Sequence, residues 1–192
     1  MNKLRLFTAI TPILLALTAC NQNAKHDSIA KADSVNATKD TTKQLSIAVE
    51  KGDAQFTVAA ASGGMTEVTL GKMAHEKGVN RRVKSFGMMM VTDHSKLNNM
   101  IKAIAVTKNI SLPKAPGVDE QKLIASLTKK SGGDFDKAYV AAMISDHEDD
   151  IKMFQKAAKN CADPDVKSFA AKTIPVLQAH LDAINAIKDS MK

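Results

Sequence analysis

The segment Met90-Val91-Thr92-Asp93-His94 returns as Met143-Ile144-Ser145-Asp146-His147, each time with an aromatic residue eight positions before the histidine, Phe86 and Tyr139. Imidazole set beside carboxylate and thioether can hold a transition-metal ion or relay a proton. Two further segments carry Glu67 and His180 on apolar stripes of the same helical period. One inward polar residue on each of four helices supports two expectations. The first is a single-ion site built from Glu67, His94, His147 and His180, a nitrogen-rich set that suits Zn, Fe, Cu or Ni better than Mg or Ca. The second is a hydrogen-bonded Glu–His layer that fixes helix register, since an inward glutamate is costly to bury without partners.

Around these four, the neighbours divide by chemistry. Asp93 and Asp146 point about 100° away from the adjacent histidine on a helix, so each can serve a histidine of another helix as an outer partner. Met90 and Met143 lie one turn below their histidines, and soft thioethers with imidazole would suit copper. Methionine is also a flexible core filler, which accounts for them without a metal. Nucleophilic catalysis finds little support: Cys161 has no histidine near it in sequence, and Gly63-Gly64 lacks the pattern of a phosphate loop. No catalytic residue is nominated, and whether the chain is an enzyme stays open.

Positioning these side chains takes four long helices. The first is expected from Asp53, as N-cap, to Lys77, with the stripe Phe56, Ala60, Gly63, Glu67, Leu70, Ala74. The second, about 80–108, carries Val83, Phe86, Met90, His94, Leu97, Ile101 and Ile104. Pro113 and Pro116 interrupt, a short helix follows at about 119–130, and Ser131-Gly132-Gly133-Asp134 makes a turn ending in a cap. The third long helix, about 135–159, carries Tyr139, Met143, His147, Ile151, Phe154 and Ala158. Asp163-Pro164 opens the fourth, with Val166, Phe169, Thr173, Leu177, His180, Ile184 and Ile187 inward and Pro175 expected to kink it. No stretch alternates as a strand does. Short turns make helices one and two, and three and four, antiparallel neighbours. The longer link between two and three is able to run back along the bundle, which would make those two parallel and bring the four polar residues to one layer, within about a turn and a half.

The ends bound the compartment. Lys3 and Arg5, an apolar run from Leu6 to Leu17, and Leu17-Thr18-Ala19-Cys20 resemble a bacterial lipoprotein signal, removed as residues 1–19, with Cys20 lipidated and carrying palmitate. Asn21 after the cysteine points to the outer membrane under the enterobacterial sorting pattern. Residues 20–50 are expected to be a disordered tether and 51–192 the folded domain. Residues 1–19 hold two of the 27 basic residues and none of the 20 acidic ones, which leaves a surplus of five positive charges on the mature chain. Such a surplus suits a lipid bilayer, a cell-wall polymer or an envelope protein as partner, while nucleic acid is excluded by the compartment and by having no Trp and one Tyr for stacking. Cys161 is the only other cysteine, so no intramolecular disulfide forms in the lipidated chain.

Asp53-x-x-Phe56, Met90-Val-Thr-Asp-His94-Ser95, Phe135-Asp136-x-x-Tyr139-Val140 and Lys172-Thr-Ile-Pro175-Val-Leu-x-x-His180-Leu181 together resemble the bacterial family called domain of unknown function 4142. The resemblance covers about 50–190. It implies a ferritin-like all-α fold in a predicted outer-membrane or periplasmic lipoprotein, with Glu67, His94, His147 and His180 on the recurrent polar positions of the family. It departs from di-iron bundles, which need Glu-x-x-His on two helices; here the residue three before each histidine is Val91, Ile144 or Leu177. Three functions follow as expectations: an envelope lipoprotein holding one metal ion, a non-catalytic structural or partner-binding lipoprotein, and a copper-binding periplasmic protein.

Overall fold

The computed structural model describes residues 27–42 and 49–191; the signal segment and Cys20 lie outside them. All regular structure among the described residues is helical. In chain order the helices are α1 (Ser28–Thr42), α2 (Lys51–Lys77), α3 (Arg81–Thr107), α4 (Val118–Thr128), α5 (Gly132–Asn160) and α6 (Pro164–Ser190). α2 packs along α3 and α5 along α6, and the two pairs meet through α2 with α5 and α3 with α6. The expected stripes are buried for the most part, with Gly63, Leu97, Ile104 and Ala158 only partly so: Leu70, Val83, Met90, Tyr139, Met143, Val166 and Ile184 have no accessible surface.

Two apolar clusters fill the interior, one on either side of the polar layer. One holds Phe56, Ile101, Phe154, Phe169 and Leu177, with Phe56 edge-on to Phe154 at 5.1 Å between ring centres. The other holds Leu70, Phe86, Met90, Phe135, Tyr139, Met143 and Ile184. Met90 and Met143 are thus accounted for by packing. α2 and α3 touch backbone to backbone where Gly71 faces Gly87. A Cβ on Gly71 would lie 2.6 Å from the Gly87 carbonyl oxygen, so only glycine permits this crossing.

Helix starts follow local chemistry at two places and tertiary chemistry at two others. Asn80 caps α3 by accepting from Arg82 N, and Asp163 caps α6 by accepting from Asp165 N and Val166 N. Asp53 is not the cap of α2. That helix begins at Lys51, and the buried Asp53 carboxylate accepts instead from Ala162 N and Asp163 N in the turn between α5 and α6, at 3.3 and 2.7 Å. Asp134 likewise lies inside α5, which starts at Gly132, where φ is +57°. Asp136, two residues further on, plays the part of Asp53 for the other pair. Its carboxylate accepts from Val79 N and Asn80 N in the turn between α2 and α3. Each pair of long helices therefore has its turn held by an aspartate from the other.

The expected tether is corrected over 28–42, where the chain forms α1 and packs on α2. Its composition is polar, but Ala32 and Asn36 are buried, and Ala32 joins Ala54, Val58, Ala105 and Ile110 in a third cluster. Asn36 fixes the helix by donating to Ser111 O and accepting from Ser111 N, while Ser28 Oγ donates to Ala115 O. α4 crosses α2 and α5 on the way from α3 to α5. α6 runs unbroken past Pro175.

Candidate metal-binding site

Glu67 from α2, His94 from α3, His147 from α5 and His180 from α6 meet in one buried layer, none more than 2% exposed. Each stands midway along its helix, above one apolar cluster and below the other, so its polar atoms are shut off from bulk solvent. Glu67 Oε2 lies 2.6 Å from His94 Nδ1, and Glu67 Oε1 lies 3.5 Å from His147 Nε2. His147 Nδ1 is 3.0 Å from the Met143 carbonyl oxygen, His147 Nε2 is 3.3 Å from His180 Nδ1, and His180 Nε2 is 3.1 Å from Asp93 Oδ2. The three ring centres are 5.2–5.8 Å apart. One ring nitrogen from each histidine lies within 4.8 Å of the others.

Electrostatics favour neutral groups here. Burial, and then the charge of Asp146, holds the Glu67 carboxyl well above the usual carboxylate range. Burial pulls His94 down to about 4, against the opposing pull of Asp146 and Asp93. His147 falls to about 3, first through burial and then through His94 and His180, with the Met143 carbonyl acting the other way. His180 is also lowered by burial, in part offset by its bond to Asp93. The 2.6 Å Glu67–His94 contact is accordingly a hydrogen bond and not an ion pair.

The proton inventory does not close. A carbonyl only accepts, so His147 Nδ1 carries the hydrogen toward Met143 and Nε2 of the neutral ring is left with a lone pair. If His180 donates through Nε2 to Asp93, its Nδ1 lone pair faces that of His147 at 3.3 Å. If it donates through Nδ1 to His147, its Nε2 lone pair faces the Asp93 carboxylate instead. In the first case the two acceptors meet at His147 and His180; in the second that contact is a hydrogen bond and the two acceptors are His180 Nε2 and the partly exposed Asp93, and a proton or a metal ion relieves either arrangement. His94 Nε2 and Glu67 Oε1 are also buried without a hydrogen-bond partner among the described residues, as are Asp146 Oδ2 and the Tyr139 hydroxyl.

Asp93 bonds a histidine of another helix, and a carboxylate oxygen of Asp146 lies within 4.8 Å of ligand atoms on Glu67 and His147. Two neighbours escape a reading of the sequence alone. Asp150, one turn after Asp146, borders with Glu67, His94 and Asn98 a cavity of about 10 Å³. Asn98 lies over Gly64, where any Cβ would overlap its amide. The signal for Asp150 was present, since four residues after Asp146 repeats its helix face. Cys161 is buried in the turn before α6, far from the histidines in sequence, and His75 is exposed.

Comparison with known proteins gives the fold a context. A crystal structure of a DUF305 fragment from Deinococcus radiodurans superposes with a TM-score of 0.64 at 14% identity, covering 72% of this chain and 96% of that one. A DUF305 protein of Streptomyces coelicolor, described as secreted, gives 0.62 at 12% identity over 73% of this chain and 93% of its own. At such identities the likeness is one of fold alone. No curated protein matches the sequence. The family model described as domain of unknown function, DUF4142, matches residues 36–187, four-fifths of the chain and the whole polar layer, and the chain belongs to that family.

Proposed function

We propose that this protein is a lipid-anchored envelope protein whose helical core binds one transition-metal ion at His94, His147 and His180. The observation that carries the reading is that the buried His94, His147 and His180 bring one ring nitrogen each within 4.8 Å of the others, with His94 Nε2 left unpartnered. A metal ion held by ring lone pairs would satisfy these nitrogens while leaving every ring neutral, the state that burial favours. His94 Nε2, His147 Nε2 and His180 Nδ1 are the nitrogens with lone pairs to offer. Their opposite nitrogens donate to Glu67, to the Met143 carbonyl and to Asp93, which set tautomer and ring orientation. Glu67 thereby orients His94 with one oxygen and keeps the other for the ion. Three imidazoles select Zn, Fe, Cu or Ni over Mg or Ca.

The proposed frame is a ferritin-like four-helix bundle of α2, α3, α5 and α6, with a crossover carrying α4. Its support is Asp136, whose bonds to Val79 and Asn80 set the start of α5 beside the start of α3 and so make those helices parallel. Anchoring is proposed through Cys20, since no helix among the described residues is long and apolar enough to cross a membrane. A DUF305 neighbour described as secreted is in keeping with a compartment outside the cytoplasm. Replacing Cys20 by Ser should release the protein from membranes washed in high salt.

Melting with and without Zn²⁺, Fe²⁺ and Cu²⁺ tests the metal reading. An ion at about a hundred times its Kd stabilises the native state by about 2.7 kcal/mol. The parent should gain several degrees, His147→Ala and His180→Ala nothing, and Glu67→Gln a reduced amount. No shift in the parent at metal concentrations well above micromolar would leave the layer as a structural device that fixes register.

A further inference from the structure

The first turn of α3 goes against helix electrostatics. Arg81 and Arg82 stand at the positive end of the helix dipole, where anions are favoured and cations are not, and no acid accompanies them in that turn. Neither guanidinium forms an ion pair among the described residues; the lysine pairs are on Asp93, Asp119, Asp149, Asp163 and Asp165. Asp136, which reaches the same turn, spends its carboxylate on the backbone of Val79 and Asn80. With Ser85, the two arginines border a cleft of about 390 Å³ between α3 and α6, within the size range of small-molecule sites. Its floor is apolar and firm. Phe86 and Ile187, 3% and 7% exposed, belong to the packed core, and Met89 rests on the same cluster. The α6 wall continues with Ala183 and Ala186, three residues apart on one helix face and too small to fill the space. No Asp or Glu lines the cleft. Paired cations that their own helix disfavours, and that no acid offsets, are a local conflict of the kind that functional sites retain.

We propose that this cleft binds one anionic amphiphile, a single acyl chain ending in a carboxylate or a phosphate. The guanidinium forks of Arg81 and Arg82 match either headgroup with paired N–H donors, Ser85 adds a hydroxyl, and the α3 dipole favours the same sign of charge. The chain lies over Phe86, Met89 and Ile187, in the space that Ala183 and Ala186 leave open. Charge and apolar surface together select this class. A neutral chain leaves both guanidiniums unanswered, and a bare anion leaves the apolar floor in water. A cleft of this size takes one chain, so binding saturates at one molecule per protein, unlike adhesion to a bilayer. The site shares no donor with the polar layer. The Phe86 ring separates the two, its centre 6.5 Å from that of His147 and 6.4 Å from that of His180, so the cleft works whether or not the histidines hold an ion.

A fatty acid carrying a photoreactive diazirine is the probe, used on the full chain at one fixed concentration of nonionic detergent. Labelling should saturate at one molecule per chain and map by mass spectrometry to residues 81–89 and 183–187. This mapping needs no variant. Dodecyl phosphate should compete with the probe, whereas inorganic phosphate and dodecanol, headgroup and chain apart, should compete far less. Arg81→Gln with Arg82→Gln should lower probe affinity at least about tenfold, the weight of one charge-assisted hydrogen bond. Lys122→Gln with Lys152→Gln removes the same charge away from the cleft and should stay within about twofold of the parent, since distant surface charges are screened. Ala186→Trp, a substitution at an exposed position, should block the cleft and abolish the labelling. Labelling that never saturates or maps elsewhere overturns the proposal. So does competition by dodecanol or inorganic phosphate equal to that by dodecyl phosphate, or equal affinity in the arginine and lysine double variants. Capture of the protein by anionic phospholipid vesicles, with no competition by dodecyl phosphate, would mark a bilayer contact and overturn it too.

Discussion

His147 sits where every strand of the polar layer crosses, bonded to its own backbone at Met143 and facing both Glu67 and His180. Its low pKa, with that of His94, carries a pH signature. Both fold with pKa values below 6.5, so between pH 6.5 and about 4 the unfolded chain binds more protons than the folded one. Stability from these rings is therefore lost as pH falls through that window. Glu67 and Asp146, the latter pushed up to about 6 mainly by burial, act in the opposite sense. Their contribution is present below the unfolded carboxyl value and is lost as pH rises toward their folded values. The ion-free protein should thus be most stable where the two windows overlap, at mildly acidic pH, and decline on either side. In urea titrations across pH 4–8, Glu67→Gln should flatten the upper limb and leave the lower one. A parent whose stability rises steadily to pH 8 would contradict this. Cys161, whose thiol burial and then Asp53 push up to about 12, should react with a disulfide reagent at least ~10-fold more slowly in the folded chain than in urea. Equal rates would show the thiol to be accessible.

At the scale of elements, the cross-capping aspartates couple the two helix pairs by hydrogen bonds at both turns. Asp136 satisfies two backbone N–H groups at the start of α3 from a position that is 1% exposed. Asp136→Ala takes the acceptor from both partly buried donors and should cost about 1–3 kcal/mol, read from urea unfolding. Asp136→Asn keeps an acceptor and should lose less, while a cost near zero for Asp136→Ala would mean that water satisfies the turn. These contacts also explain what the sequence could and could not say. Three-and-four spacing exposed the four long helices and even their inward polar residues, because burial of one face is a property of each helix alone. Asn80 and Asp163 were legible as caps for the same reason, their bonds falling two or three residues away. Asp53 was misread as the cap of its own helix because its partners are more than a hundred residues distant. Gly71 and Gly87 form one crossing, yet neither carries a local sign of the other. In the site, residue types on four stripes announced a layer, but only coordinates reveal which ring nitrogen faces which.

For the whole molecule, α1 changes how the domain is bounded. Its mean composition offers no amphipathic period, so the segment reads as tether until Ala32 and Asn36 are seen against α2 and Ser111. The same contacts explain why α2 is buried over more than one stripe. Ala54 and Val58 face α1, while Ser62 receives Gly117 N and donates to Glu120. A bundle of four helices alone would leave those residues in water. A chain beginning at Val49 should therefore still fold and keep the polar layer, which α1 does not touch, but melt lower than one beginning at Asp27. Fully burying a valine-sized side chain is worth about 1.5–3 kcal/mol, and Val58 has no accessible surface, so a loss of this order is expected from its uncovering and that of its neighbours. Asn36→Ala in the longer chain should reproduce part of the loss by freeing both backbone groups of Ser111. Metal-dependent stabilisation, measured as the shift in melting temperature, should be the same in both chains. A shorter chain that melts with the longer one would return 28–42 to the role of tether, and one that loses its metal response as well would tie α1 to the site through the α2 face it covers.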